Sequence, residues 1–231
     1  MKVLSTNSKF SSIALALFSF TILWLLRSQQ LTGDSLWYAS DALSGVNLFH
    51  PHHLIFIPTL RLFYLFIDLL GMDISILVAG QLLNMIFASL TVTFLHRLLL
   101  RVSDNRTALF AAFLLLICNG FWTYSTQVEV YIPALFFSLL LMTQLVLWKG
   151  TWVNIAAAVF FFSMAVLFHQ SNVLLAAPLL FVLSKNQRLK GFVIIAMSGA
   201  IVFASYIWAM RLEGHTLNIQ GFMNFSLKYS V

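Results

Sequence analysis

Charge is scarce in this chain. Asp, Glu, Lys and Arg together make up 9% of its 231 residues, and 7 of them are acids, against 23 phenylalanines. A soluble globule needs polar surface to cover its apolar interior, so this composition excludes that class. Cysteine is scarcer still. The single one, Cys118, lies in an apolar run, which excludes an intramolecular disulfide and a cysteine-built metal site and reads as a small buried hydrophobe. The ten-residue apolar and polar alternation of a membrane β-barrel is missing. The net charge of +6 is scattered over loops and termini, with no basic and aromatic surface of the kind that holds nucleic acid, so no nucleic-acid partner is expected. No internal repeat or low-complexity linker divides the chain, and one membrane domain spanning 1–231 is expected.

What fills the chain is a series of solidly apolar runs, in keeping with a mean hydropathy of +0.93. Runs of about twenty residues with so little charge read as membrane-spanning helices. They fall at 10–26, 74–95, 107–122, 130–148, 151–168, 173–184 and 191–210. The fold class expected is therefore all-α: a polytopic membrane protein with about seven transmembrane helices. Lys2 and Lys9 precede the first run, and no small-residue cleavage site follows it, so it reads as a retained anchor with a cytoplasmic N-terminus.

An eighth stretch, 54–70, has the length of a span but contains Pro58, Arg61 and Asp68. If it crossed, the next run would deliver His96, Arg97, Arg101 and Arg106 to the outside, against the positive-inside rule. It is expected to lie as a juxtamembrane helix within a first outer loop, 27–72. Every inward end then carries a basic residue, with Lys149, Lys185, Arg188 and Lys190 completing the set. The reading is of a multi-pass protein of a bacterial inner membrane, with a tail, 211–231, outside.

This topology gathers three polar clusters on the outer face. One holds Asp34 and Asp41 with His50, His52 and His53. The second is the loop around Glu129, the only acid between Asp104 and Glu213. The third is the turn His169, Gln170, Ser171, Asn172. A carboxylate at the lip of a span is costly unless it faces a cavity or a partner, so Glu129 is a candidate functional residue. Interfacial tyrosines, a polar proline turn and interhelical hydrogen bonding by Asn84 and Gln144 are the plainer readings of these features. A divalent cation held by Asp34, Glu129 and one histidine is a further alternative. A transporter would need polar residues through its spans, whereas Gln81, Asn84, Gln144 and Asn154 are scattered. A non-catalytic assembly protein remains as the rival class.

The order of an early aspartate in GDSLWY, then HPHHLIFIPTLRLF, two spans, FWTYSTQVEVY and LFHQSNVLLAAPLLFVL resembles the membrane-embedded GT-C glycosyltransferases. The closest likeness is to the protein O-mannosyltransferase-like branch, which uses lipid-phosphate sugars. The resemblance runs from Leu31 to about Leu183. It implies Asp34 as a catalytic base and Glu129 as a second catalytic acid that orients the acceptor or helps hold a cation. It also implies a polyprenyl-phosphate-linked sugar as donor, beside membrane lipid itself. His50, His53, Arg61 and His169 are the candidates for the donor phosphate, Arg61 foremost because a guanidinium matches phosphate oxygens. Members of that superfamily continue through further spans, so the expectation includes a truncated module, an inactive remnant, or a half completed by a C-terminal region or partner subunit.

Overall fold

The computed structural model describes residues 6–183 and 187–227, with side chains from Ser11 onward. Lys2, Lys185, the side chain of Lys9 and the last four residues of the tail lie outside the described residues. Among them the regular structure is all helical, covering 78% of the chain, with no strand. The helices are α1 (Thr6–Leu25), α2 (Gly33–Ser44), α3 (Phe56–Leu69), α4 (Ile76–Leu99), α5 (Asn105–Ile117), α6 (Asn119–Ser125), α7 (Tyr131–Val146), α8 (Trp152–Phe168), α9 (Ala176–Val182), α10 (Arg188–Leu212) and α11 (Ile219–Leu227), with a 3₁₀ segment, Gln170–Leu175, leading into α9.

Local chemistry starts several of them. Thr32, Ser75, Asp104 and Thr151 each accept a hydrogen bond from a backbone amide three residues on, satisfying one free donor at the starts of α2, α4, α5 and α8. Gly45 ends α2 in the left-handed conformation, at φ 74°, and its amide donates to Asp41 O.

Helix α4 is the centre of the bundle and is mostly buried, while α10 is mostly exposed. Helices α1, α5 and α7 pack on α4, and α8 bridges α7 to α10. Apolar contacts fall into adjoining clusters. One joins α2, α3, α4, α7 and α8 around Phe56, Leu60, Leu83, Phe137 and Phe168. Another joins α1, α4 and α5 around Leu23, Met85 and Leu116.

Among the described residues two helices, α4 and α10, are long and apolar enough to cross a membrane, and α5 with α6 makes a third if that bent pair counts as one span. The run expected at 107–122 is thus not one straight helix: it bends by 64° at Cys118. Cys118 itself is exposed rather than buried, because the break turns it off the packed face. The run expected at 173–184 is likewise divided, part 3₁₀ and part α9. Helices α7 and α8 and the apolar part of α1, Ser11–Leu25, fall short of 18 residues. Helix α3 is not among the long apolar helices. It buries Phe56, Ile57, Leu60 and Ile67 and exposes Leu62, Leu65, Phe66 and Leu69.

Candidate functional site

The bundle has a polar end and a basic end. At the polar end the α6–α7 connection, 126–130, is buried without being helical: Thr126, Gln127, Val128, Glu129 and Val130 are each 5% exposed or less. Backbone buried in that state must find a partner for each amide and carbonyl. Helix α4 supplies most of them. Gln81 donates to Thr126 O at 2.7 Å and to Ser28 O at 3.0 Å. Asn84 donates to Tyr124 O, Gln127 O and Glu129 O at 3.2, 2.9 and 2.8 Å. Gly80 makes room for this arrangement, since a Cβ there would stand 2.7 Å from a Val128 methyl. Ser35 of α2 pairs with the backbone of Val128, its hydroxyl oxygen lying 3.1 Å from Val128 N and 3.3 Å from Val128 O, and the Gln127 side chain ties the loop to the chain ahead of it. Gln127 accepts from Thr32 N at 3.0 Å and from the Ser35 hydroxyl at 3.1 Å, and donates to Gln30 O at 2.9 Å.

This stitching delivers the two acids. Glu129 is buried, and its Oε1 accepts from the Thr32 hydroxyl at 3.0 Å. The same Thr32 oxygen caps α2 by accepting from Ser35 N at 3.1 Å. Asp34 sits two residues on, exposed in the first turn of α2, where the helix dipole favours a carboxylate. Burial, with the nearby Asp34 charge adding to it, raises Glu129 from its usual 4.5 to about 7 against the lowering effect of the Thr32 hydrogen bond. The two carboxyl groups therefore share one field, with Glu129 anchoring the turn that presents Asp34.

The histidines adjoin them. His50 and His53 stack face to face, ring centres 3.9 Å apart, and His53 meets the Tyr38 ring edge-on at 4.9 Å. Burial, with the charges of Asp34 and Glu129 adding to it, raises the Tyr38 phenol far above the ordinary range. Burial, with His50, His169 and His52 close by, drives the His53 imidazole far below its usual value, so it is neutral. His169 is also lowered, by burial and by His52. Its Nδ1 pairs with the Ser171 hydroxyl at 2.6 Å, and its ring lies 5.1 Å from Tyr131. Gln170 N donates to His52 O at 2.9 Å, the Gln170 amide pairs with His52 Nδ1, and the Tyr206 phenol donates to Pro51 O.

Beside this cluster opens a cavity of about 460 Å³. Tyr124, Tyr131, His169 and Asn172 give it a polar side; Leu115, Leu135 and Leu175 give it an apolar one.

Asp34, Glu129, His50, His53 and His169 thus come together. Arg61 does not. Its guanidinium donates to Ala42 O at 2.6 Å and Leu43 O at 3.1 Å, binding the unsatisfied carbonyls at the far end of α2. That is about 12 Å along the helix axis from Asp34. Among the described residues no three His, Cys, Asp or Glu side chains converge to hold a metal ion. The histidines face one another and Tyr38 instead of completing a shell around Asp34 and Glu129. Sequence reasoning had treated Gln81 and Asn84 as scattered polar residues, and it missed Thr32 altogether. Two amides three residues apart on one face of an otherwise apolar helix were the available signal. Compared with known proteins, the chain matches no family model, no curated protein and no solved structure.

Proposed function

We propose that this chain is a multi-pass membrane protein whose polar end transfers a sugar from a polyprenyl-phosphate-linked donor to an acceptor hydroxyl. The observation that carries the reading is an exposed Asp34 on the helix turn that buried Glu129 holds through Thr32, with a cavity lined by Tyr131 and His169 nearby. An acceptor hydroxyl would attack the anomeric carbon while the bond from that carbon to the phosphate oxygen breaks. Asp34, being exposed, would take the hydroxyl proton, and the polyprenyl phosphate would depart with the bonding electrons. Glu129 acts through Thr32 by holding the first turn of α2 in place. The polyprenyl chain fits the apolar side of the cavity, and His169 with Tyr131 offers hydrogen bonds to the phosphate. Arg61, engaged with the carbonyls of Ala42 and Leu43, is left out of the donor set in this reading.

In this reading the helical runs form seven spans, the shorter ones thinning the bilayer around them. The α5–α6 bend and the 3₁₀ segment sit where polar loops line the cavity, and α3 lies at the interface with its exposed leucines in lipid. The polar end faces outward, because Arg97, Arg101, Arg106, Lys149, Arg188 and Lys190 gather at the other end. Single cysteines replacing His50 and Tyr124 should label from outside, and those replacing Arg101 and Arg188 from inside.

Activity is tested with the full chain in liposomes, offered a panel of polyprenyl-phosphate hexoses and pentoses while release of polyprenyl phosphate is followed. Asp34→Asn should lower the rate roughly a hundredfold or more, the scale of a positioned proton acceptor, and leave donor retention unchanged. An unaltered rate in that variant, or no turnover with any donor, would leave a non-catalytic membrane assembly protein.

A further inference from the structure

The turn 49–55, between α2 and α3, is tied to two other parts of the bundle. On the side of α10, Phe49 N donates to Glu213 Oε1 at 3.0 Å and the Tyr206 phenol donates to Pro51 O. On the side of α8, Ile55 N donates to Leu167 O at 3.3 Å. Gln170 is bound to His52 twice, its backbone N donating to His52 O at 2.9 Å and its side chain pairing with His52 Nδ1. Gln170 opens the 3₁₀ segment, which buries none of its residues. That segment carries Ser171, Asn172 and Leu175, next to His169, into the wall of the large cavity. Part of what holds the wall is therefore the turn.

Within the turn His53 is buried, its ring stacked on His50 and set edge-on to Tyr38. Among the described residues its Nε2 is buried and has no hydrogen-bond partner. A protonated imidazole carries an N–H on both ring nitrogens, so the cation would hold an unsatisfied donor away from water. The groups acting on His53 are His50, His169 and His52, which disfavour a further positive charge. Beyond them, Asp34 and Glu129 act on Tyr38, and Glu213, 3.8 Å from His215, is engaged at Phe49. In the closed turn His53 is accordingly neutral, and in a turn opened to water it takes a proton at the ordinary value of about 6.5. We propose that the turn 49–55 is an acid-released latch on the 3₁₀ wall of the cavity, freed when His53 is protonated. Opening takes up a proton, so it is favoured as pH falls below 6.5; from pH 7.5 to 5 one proton shifts the equilibrium about thirtyfold. The latch is independent of glycosyl transfer, although its release would loosen the His169 and Asn172 side of the cavity.

The test follows amide hydrogen exchange of the full chain in a neutral detergent at pH 7.5 and pH 5, corrected for the intrinsic dependence of exchange on pH. Protection at 49–55 and at 170–175 should fall together, roughly tenfold or more, on going to pH 5. Loop 126–130, held by the side-chain amides of Gln81 and Asn84, should stay protected. His53→Phe keeps a ring against His50 and Tyr38 but takes up no proton, and should cut the fall roughly fivefold or more, leaving the part due to His169. Tyr206→Phe loosens the turn without removing an imidazole, and should lower protection by the same factor at both pH values. Thermal unfolding at pH 7.5 reports whether His53→Phe folds; if it does not, the smaller His53→Gln carries the test. Equal protection at the two pH values, loss at 49–55 without loss at 170–175, an equal loss at 126–130, or an undiminished fall in the variant that carries the test would each overturn the proposal. None of these measurements involves turnover, so a negative result here and a negative result for Asp34→Asn are separate outcomes.

Discussion

At the polar end, five consecutive residues of non-helical chain are buried and held by side chains from distant parts of the sequence; at the basic end, charged residues sit at helix termini whose hydrogen bonds are local or reach only the neighbouring turn. Thr151 caps α8 by accepting from Asn154 N at 3.3 Å, and Lys190 donates to Gly150 O at 2.8 Å. Exposed cations such as Arg106 and Lys149 need only water around them. Loop 126–130 has no such recourse, because a buried carbonyl left without a donor costs about 1 to 3 kcal/mol. The difference teaches that the basic end is organised by capping and orientation, whereas the polar end is organised by a network that would be wasteful unless it positioned something. The turn it holds, through Thr32 and buried Glu129, is the one that carries exposed Asp34.

The largest effect expected on stability comes from Glu129. Its carboxyl titrates at the ordinary 4.5 in the unfolded chain and at about 7 in the folded one, so between those values the folded state holds a proton that the unfolded state has lost. The stability contributed by this group is full below pH 4.5 and is lost as pH rises through 7. At 1.36 kcal/mol per unit, the fall amounts to about 3 kcal/mol. His53 and His169 act with the opposite sign: both are lowered in the folded state, so their contribution is lost as pH drops below 6.5. Glu129→Gln keeps an acceptor for Thr32 and isolates the carboxyl. Denaturation curves of parent and variant should diverge as pH rises from 4.5 to 7, with the variant the more stable at pH 8. Parallel curves would show that Glu129 titrates as an ordinary surface acid and would erase the contrast between the two ends.

Asn84→Leu comes next. It removes an amide whose two N–H hydrogens are shared among the carbonyls of Tyr124, Gln127 and Glu129, and should cost about 2 kcal/mol, roughly 1 kcal/mol for each of the two hydrogens withdrawn. Amide hydrogen exchange should show 124–130 opening first. Arg61→Met should cost about 1 kcal/mol by uncapping α2, and donor retention should stay as in the parent. A large loss of donor affinity at constant stability would return Arg61 to the donor site. The smallest effect belongs to the basic end: Thr151→Ala should cost at most about 1 kcal/mol, with exchange at 126–130 unaltered. A change there would mean that the ends are coupled and the comparison too sharp.

Much of this was legible from residues alone. Pro58, Arg61 and Asp68 kept 54–70 from reading as a span, whereas the cap that Thr32 gives α2 went unread. Basic residues at alternate ends of apolar runs ordered the bundle. The bend at Cys118 had a local signal in the turn-favouring pair Asn119-Gly120 directly after it, which the apolar residues on either side outweighed in reading 107–122 as one run. The place of Arg61 was not legible: a cation near a polar loop can serve a ligand or a helix end, and only the packing of α3 against α2 brings its guanidinium to the carbonyls of Ala42 and Leu43.

The amino-acid sequence by itself determined that the chain is helical and which ends of its helices are basic, because periodicity, capping and charge act over a few residues. The meeting of Thr32 with Glu129 across 97 positions, the clamping of 126–130 by α4 and the diversion of Arg61 were decided by the tertiary structure alone. Those contacts depend on how buried polar groups find partners once the apolar faces have packed, and that choice is made in space rather than along the chain.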